Sequence, residues 1–218
     1  MLAALSFSRP LGQTSATSLL PYYLIIGLIF PFVSSSIDEE LEELAHTGDI
    51  NNFLTRPISL YPWLLFKNFS EKISQFIYLA PLLLVAAFVF KPDQFPLSRI
   101  LPVFVSVFLS SLVYFNLSYL TGLVSFWIDE FWAIRNLKHV VFQLLGGFVI
   151  PTTFFSAEIS GFLRHSPFFY LGSWNPAVFS SGIDRLDLFW VLIWIFVSQL
   201  LILIVQNSAI SKYSFTAS

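Results

Sequence analysis

ILPVFVSVFLSSLVYFNLSYLTGLVSFWI, residues Ile100 to Ile128, runs for 29 positions without one charged side chain. An α-helix rises ~1.5 Å per residue, so ~20 apolar residues already cross the hydrocarbon core of a bilayer. A soluble domain has little reason to keep so long a run uncharged. The chain therefore reads as an all-α integral membrane protein.

Composition agrees. Hydrophobic residues make up 56% of the 218 residues and charged residues 11%, against ~25% charged in an ordinary soluble domain. The length fits one domain, residues 1–218, built as a bundle of a few spanning helices. A formal net charge of −2 gives no electrostatic reason to expect nucleic acid as a partner. With no cysteine there is no disulfide, thiolate metal site or cysteine nucleophile.

Four further apolar stretches flank the long one: Leu19–Val33, Phe76–Phe90, Val140–Phe155 and Leu188–Val205. Each falls short of ~20 residues, but bordering Ser, Tyr and Trp extend it to the interface. The expectation is a bundle of five transmembrane helices. Pro21, Pro31, Pro81, Pro102 and Pro151 lie in or beside these runs, where neighbouring helices can satisfy the carbonyls that proline frees. In the long run, Ser106/Ser110 and Ser118/Gly122 are small residues four apart, with Asn116 between the pairs. Small residues at that spacing let a second helix approach closely. The same polar positions could instead face a translocation path.

Lys and Arg divide almost evenly between the two sides that five spans define. Arg56, Lys67, Lys72, Arg135, Lys138 and Lys212 fall on one side, and Arg9, Lys91, Arg99, Arg164 and Arg185 on the other. Charge counting leans only slightly to the first set being cytoplasmic.

Several chemistries are missing. There is no G-x-x-x-x-G-K-[ST] loop for ATP, no G-x-S-x-G elbow and no H-E-x-x-H pair. His46, His139 and His165 are widely spaced, and no Asp, Glu, Lys, Arg or His stands inside the five apolar cores. A proton-coupled cycle would need such groups. Energy would then come from a partner, and no catalytic, metal or cofactor-binding residue is expected in this chain.

Between the first two spans lies a charged segment. Ser36-Ile-Asp-Glu-Glu-Leu-Glu-Glu-Leu reads as a helix start, with Ser36 as N-cap and Glu39 placed as in a capping box. Asp38, Glu39 and Glu40 occupy the first turn, where the helix dipole favours negative charge. Ile37, Leu41 and Leu44 share one face, and Gly48 is a stop signal. A solvated helix resting on the bundle would look like this. So would a docking helix whose carboxylates, Glu43 included, enter a basic groove on a soluble protein. Beyond it, Arg56 precedes Pro57 and is pushed out of helical geometry. Tyr61, Trp63 and Phe66 would then anchor the chain along the interface.

Gly48-Asp-Ile-Asn-Asn-Phe-Leu-Thr-Arg-Pro-Ile-Ser resembles the G-x-(L/I)-x-x-(Y/F)-L-x-(R/K)-P-(I/L)-S signature of type-2 ABC transporter permeases, in their six-helix exporter-type subfamily. Phe126-Trp127-Ile-Asp129-Glu130-Phe-Trp132 is similar to that family's F-W-x-(E/D)-(D/E)-x-W segment. Gly146-Gly147-Phe-Val-Ile-Pro151 resembles G-x-x-(I/V)-P, Ser166-Pro167-Phe168-Phe169-Tyr170 resembles L-P-F-x-Y, and Pro176 with Gly182 matches P-x-x-x-x-x-G. The matches follow in order from about residue 18 to 205. Ala45 stands where the family has isoleucine, and Ser156 where it often has proline.

The resemblance implies a half-transporter. A second permease subunit would pair with it, as a homodimer or heterodimer, in the bacterial plasma membrane, surrounded by lipid. Separate ABC ATPase subunits would carry ATP and Mg. Residues 37–72 would be cytoplasmic, with Asp38, Glu39, Glu40, Leu41, Glu43, Leu44, Gly48, Arg56 and Pro57 coupling to the ATPase. Residues 156–187 would be extracytoplasmic, in the form of short re-entrant helices, and Gly147, Pro151, Pro167 and Phe168 would belong to that region. A membrane scaffold with the same fold is the alternative. An integral-membrane enzyme would need a convergent catalytic set that the loops do not offer.

The resemblance also implies one more helix ahead of Leu19–Val33, with residues 1–18 as the extracytoplasmic loop that follows it. The expected finding is an in-frame apolar segment of ~20 codons upstream of Met1. The upstream nucleotide sequence checks this, and a stop codon close to Met1 in that frame would refute it.

Overall fold

The computed structural model describes residues 16–50, 59–89, 97–128 and 130–216, and these are helical with no strand among them. In chain order the helices are α1 (Ala16–Val33), α2 (Ile37–Thr47), α3 (Leu60–Val89), α4 (Ile100–Leu123), α5 (Trp132–Leu145), α6 (Ala157–His165), α7 (Trp174–Ser181) and α8 (Arg185–Thr216). Single 3₁₀ turns follow α4 at Val124–Phe126, precede α6 at Thr152–Phe154 and precede α7 at Phe169–Leu171. Arg56, Pro57, Asp129 and residues 1–15 lie outside the described residues.

The uncharged run that opens the sequence is α4 with its 3₁₀ extension, and the other elements are arranged around it. It packs against α8, α2, α1, α7 and α5. Ile100–Phe126 and Arg185–Ser211 are each long and apolar enough to cross a membrane. Their outward faces carry Leu101, Phe104 and Phe108 on α4 and Phe189, Phe196, Leu203 and Ile204 on α8, all exposed. An apolar surface this extensive has no place in water. It is the surface that a helix presents to lipid chains.

Two apolar cores lie along α4. One gathers Val33, Val113, Tyr114, Phe142, Tyr170, Leu171, Trp174 and Val191. The other gathers Ile37, Leu41, Leu64, Phe115, Tyr119, Leu123 and Ile202. Ser106, Ser110, Asn116, Ser118 and Gly122 are all buried. At Gly122 the approach is tight enough to exclude a side chain. A Cβ placed there would lie 2.8 Å from the Asp38 Cα and 2.8 Å from Leu41 Cδ1, so α2 rests with its backbone against α4.

Three expectations are corrected. Val140–Phe155 is not one spanning helix: α5 begins at Trp132 and stops at Leu145. Its 14 residues reach ~21 Å, short of a bilayer core. The chain turns at Gly147, whose φ of 81° suits glycine. There Tyr22 of α1 donates to the Gly147 carbonyl at 2.6 Å, and Ser173 N–H donates to the Gly146 carbonyl at 2.8 Å. An apolar count is blind to that break because Phe148, Val149 and Ile150 keep it hydrophobic.

Second, the segment from Leu60 to Lys72 is not a surface stretch. It forms the first turns of α3, a helix of 30 residues that also holds Phe76–Val89. Tyr61 accordingly points into the bundle and donates to Asn116 Oδ1 at 2.8 Å. Third, Ser36 forms no capping box. Its φ of −103° and ψ of 26° put the hydroxyl out of reach, and its side chain accepts no N–H. The far end of α2 closes at Gly48 with φ 81°.

The close contact at Gly122 sets an expected outcome. Gly122→Ala overpacks the α2–α4 contact and should cost on the order of 1–3 kcal/mol. Gly27→Ala on α1, where nothing lies within 4 Å, should be neutral. Thermal unfolding of the two purified variants in detergent measures this, and equal melting temperatures would contradict it.

Candidate functional site

The charged helix α2 is amphipathic because its residues alternate between leucine-type and carboxylate positions at helical spacing. Ile37 and Leu41 are buried against Phe115, Tyr119 and Leu123 of α4, and Leu44 packs at the margin of that core. This orientation decides where each carboxylate goes.

Asp38 is carried inward and is fully buried. Lys138 Nζ from α5 meets it at 2.6 Å, and the lysine side chain is only 3% exposed. The ammonium is further held by Ser118 Oγ of α4 at 3.5 Å and lies 5.8 Å from the Phe142 ring centroid. One helical turn on, Glu42 receives Arg135 Nη1 of α5 at 2.7 Å. The two acids are four apart on α2 and the two bases three apart on α5, so one face of each helix meets the other in two charge pairs. Glu40 is joined to Lys67 of α3 at 2.5 Å. Arg135 Nε stands 4.0 Å from Glu39, a loose contact on a half-exposed side chain.

The acidic face predicted from the sequence is thus divided. Asp38, Glu40 and Glu42 face bases of the same chain and hold α2 to α3 and α5. Asp38 is therefore corrected as a docking residue, because a fully buried carboxylate cannot enter a partner's groove. Glu39 and Glu43 are exposed, and Glu43 makes no ion pair among the described residues. Gly48 ends the helix, while Arg56 and Pro57 fall outside the described residues.

The small and polar positions of α4 are brought into hydrogen-bond networks between helices. Asn175 of α7 donates to Ser110 Oγ at 3.1 Å. Asn116 donates to Ser198 Oγ of α8 at 2.9 Å, and its Oδ1 takes the Tyr61 hydroxyl, which in turn accepts from Gln199. Ser106 donates to the Val103 carbonyl within its own helix. Gly147 and Pro151 are buried, and Pro167 and Phe168 are half-buried, with Phe168 tilted against Phe142 at 6.0 Å. Between α6 and α8, Arg164 Nε donates to Asp187 at 3.3 Å and Nη2 to Asp184 at 3.5 Å. The Asp187 hydrogen bond is the main cause that raises the Arg164 pKa above its ordinary value.

Sequence reasoning missed Arg135, Lys138 and Lys67 as the partners of α2. Arg135 and Lys138 at i and i+3, opposite Asp38 and Glu42 at i and i+4, were a usable signal. Nothing local could link Tyr61 and Gln199 to Asn116, since 55 and 83 residues separate them from it.

The buried pair is open to a double-mutant cycle. Asp38→Asn or Lys138→Met alone should destabilise the protein by about 3–5 kcal/mol, by leaving one buried partner uncompensated. The double variant should recover most of that loss. Denaturant unfolding in detergent reads the coupling, and additive single effects would show that the two groups act independently.

The family model described as ABC-2 family transporter protein matches residues 13–217. No curated protein and no solved structure matches the chain significantly. Together with the helical bundle, its lipid-facing α4 and α8 and the polar contacts inside it, that match spans nearly the whole chain. The chain belongs to the ABC-2 transporter family, as a membrane-embedded permease subunit of an ABC transporter.

Proposed function

We propose that this permease is the half-transporter of an ATP-driven exporter and that α2 couples it to a separate ATPase subunit in the cytoplasm. The observation that carries this reading is the attachment of α2. It is joined to α3 by Glu40–Lys67 and to α5 by Asp38–Lys138 and Glu42–Arg135, and it lies backbone-close to α4 at Gly122. A push on its exposed side would be passed to three helices at once. A helix that merely rested on the surface would not need a fully buried ion pair.

ATP and Mg would stay on the partner, since the chain has no P-loop of its own. Two copies, or this chain and a related one, would enclose the path. Outward movement of substrate follows from the exporter-type resemblance of the motifs around Gly48, Phe126 and Pro151. Residues 100–126 and 188–211, in the two helices apolar enough to cross a membrane, hold no Asp, Glu, Lys, Arg or His, and the buried Asp38 is already paired with Lys138, which supports ATP rather than a proton gradient as the energy source.

Glu39→Lys together with Glu43→Lys leaves the three shorter ion pairs of α2 intact while reversing its outer charge. The variant should lose most of its ATPase on co-purification, with the wild-type association weakening as salt rises. Reconstituted with the ATPase, the wild type should move substrate outward only with ATP. Transport by the isolated permease under a pH gradient, without nucleotide, would overturn the proposal. So would unchanged recovery of the ATPase by the double variant.

A further inference from the structure

Tyr22 of α1 fastens three parts of the bundle at one point. Its hydroxyl donates to the Gly147 carbonyl at 2.6 Å, in the turn that follows α5, and stands 3.2 Å from Ser173 Oγ at the start of α7. The Ser173 hydroxyl is also 3.2 Å from the Gly146 carbonyl, so its one proton has two acceptors within reach. At ~1.5 Å per residue, Tyr22 lies about 17 Å along α1 from its end at Val33. Helix α2 begins beyond that end, at Ile37. The contact is therefore on the side of the bundle away from α2.

The seam between α1, the turn and α7 is built without interlocking side chains. A Cβ at Gly147 would collide with Ser173 Oγ and fall 2.9 Å from the Tyr22 hydroxyl, and one at Gly172 would fall 2.5 Å from the Gly146 carbonyl. Backbones and hydroxyls meet there directly. Interlocked apolar side chains leave voids when they part. Hydroxyls and carbonyls do not, because water replaces each bond they lose. The closed seam also leaves polar groups beside it unused. Trp174 Nε1, in the residue after Ser173, and the Tyr170 hydroxyl are buried with no hydrogen-bond partner among the described residues. Their rings meet edge-on with centroids 5.3 Å apart. Buried donors are ordinarily paired. Water entering an opened seam would pair them, and in the closed state the Tyr22 bond opposes that entry.

We propose that Tyr22 is the latch of this seam. Its hydroxyl holds α1 to the turn and to α7 while the permease is closed, and its release admits water to the seam during the transport cycle. The proposal deepens the coupling role of α2 and rests on it. Movement of α2 reaches Tyr22 along α1. It reaches Gly147 along α5, to which α2 is bound by Asp38–Lys138 and Glu42–Arg135. The latch is thus loaded from both of its sides.

The chain has no cysteine, so Ser173→Cys places a single thiol at the seam. Ser173 is 3% exposed, and the substitution keeps the main-chain acceptor of Tyr22 in place. In the full chain reconstituted in lipid nanodiscs, a small water-soluble thiol reagent should label this position slowly. Adding Tyr22→Phe, which removes one oxygen and keeps the ring, should speed labelling on the order of tenfold, the factor for one buried hydrogen bond. Equal rates with and without the Tyr22 hydroxyl would overturn the latch. General loosening of the fold would also speed labelling at Ser118→Cys, fully buried beside Lys138. An equal rise at both positions would overturn the latch too. These measurements need no ATPase, so they decide the latch whether or not α2 docks one. With the ATPase bound, ATP should raise labelling of Ser173→Cys alone toward the rate seen with Tyr22→Phe. That comparison also decides the matter if Tyr22→Phe fails to fold. An ATPase that binds and hydrolyses ATP while labelling ignores nucleotide would overturn the latch and leave docking by α2 standing. Failure of the ATPase to bind would strike the docking reading instead.

Discussion

Asp38 is fully buried with the Lys138 ammonium 2.6 Å from its carboxylate, and the position of α2 follows from that contact. Removing two charges from water costs several kcal/mol per ion, which the pair offsets only at close range. The 2.6 Å contact supplies that range. It also requires α2 to lie against α5 and α4 at one depth and in one rotation, because turning the helix would expose Asp38 or bury Glu39. The missing side chain at Gly122 lets the backbone of α2 come close enough. Charge and packing therefore specify the same placement.

The bundle behind α2 separates polar from apolar groups in the sense opposite to a soluble protein. Outward faces of α4 and α8 carry phenylalanine and leucine, while amides and hydroxyls are turned inward. Lipid chains are as apolar as leucine, so burying leucine between helices gains little there. Hydrogen bonds such as Asn116 to Ser198 and Tyr61, and Asn175 to Ser110, give the helices partners that lipid cannot offer. The same inward set could be imagined as lining a path. In this subunit its members are bonded to one another and act first as joints between α3, α4, α7 and α8.

A second set of constraints shapes the region after α5. Gly147 admits a left-handed turn, Tyr22 and Ser173 hold its neighbourhood in place, and the chain re-enters the bundle as α7 with Trp174 and Asn175 buried. The short helix α6 is fastened to the start of α8 by Arg164, which pairs with Asp187 in the first turn of α8 and with Asp184 just before it. Residues predicted for this region from motif resemblance alone, Gly147, Pro151, Pro167 and Phe168, occupy that turn and the link between α6 and α7.

Composition, the 29-residue uncharged run and the spacing of the acidic helix were enough to determine a helical membrane protein with a short amphipathic element after α1. Those properties are local: they depend on how many apolar residues occur in a row and on which face of a helix each one falls. The end of α5 at Leu145, the start of α3 at Leu60 and the division of the acids of α2 between core and surface were decided by tertiary structure. Each depends on a partner distant in sequence: Tyr22 and Ser173 for the Gly147 turn, Asn116 for Tyr61, Lys138 for Asp38. A periodicity shows that Asp38 and Glu39 lie on different faces of one helix. It cannot show which face meets a buried ammonium, because that charge is brought there by a helix about a hundred residues further along the chain.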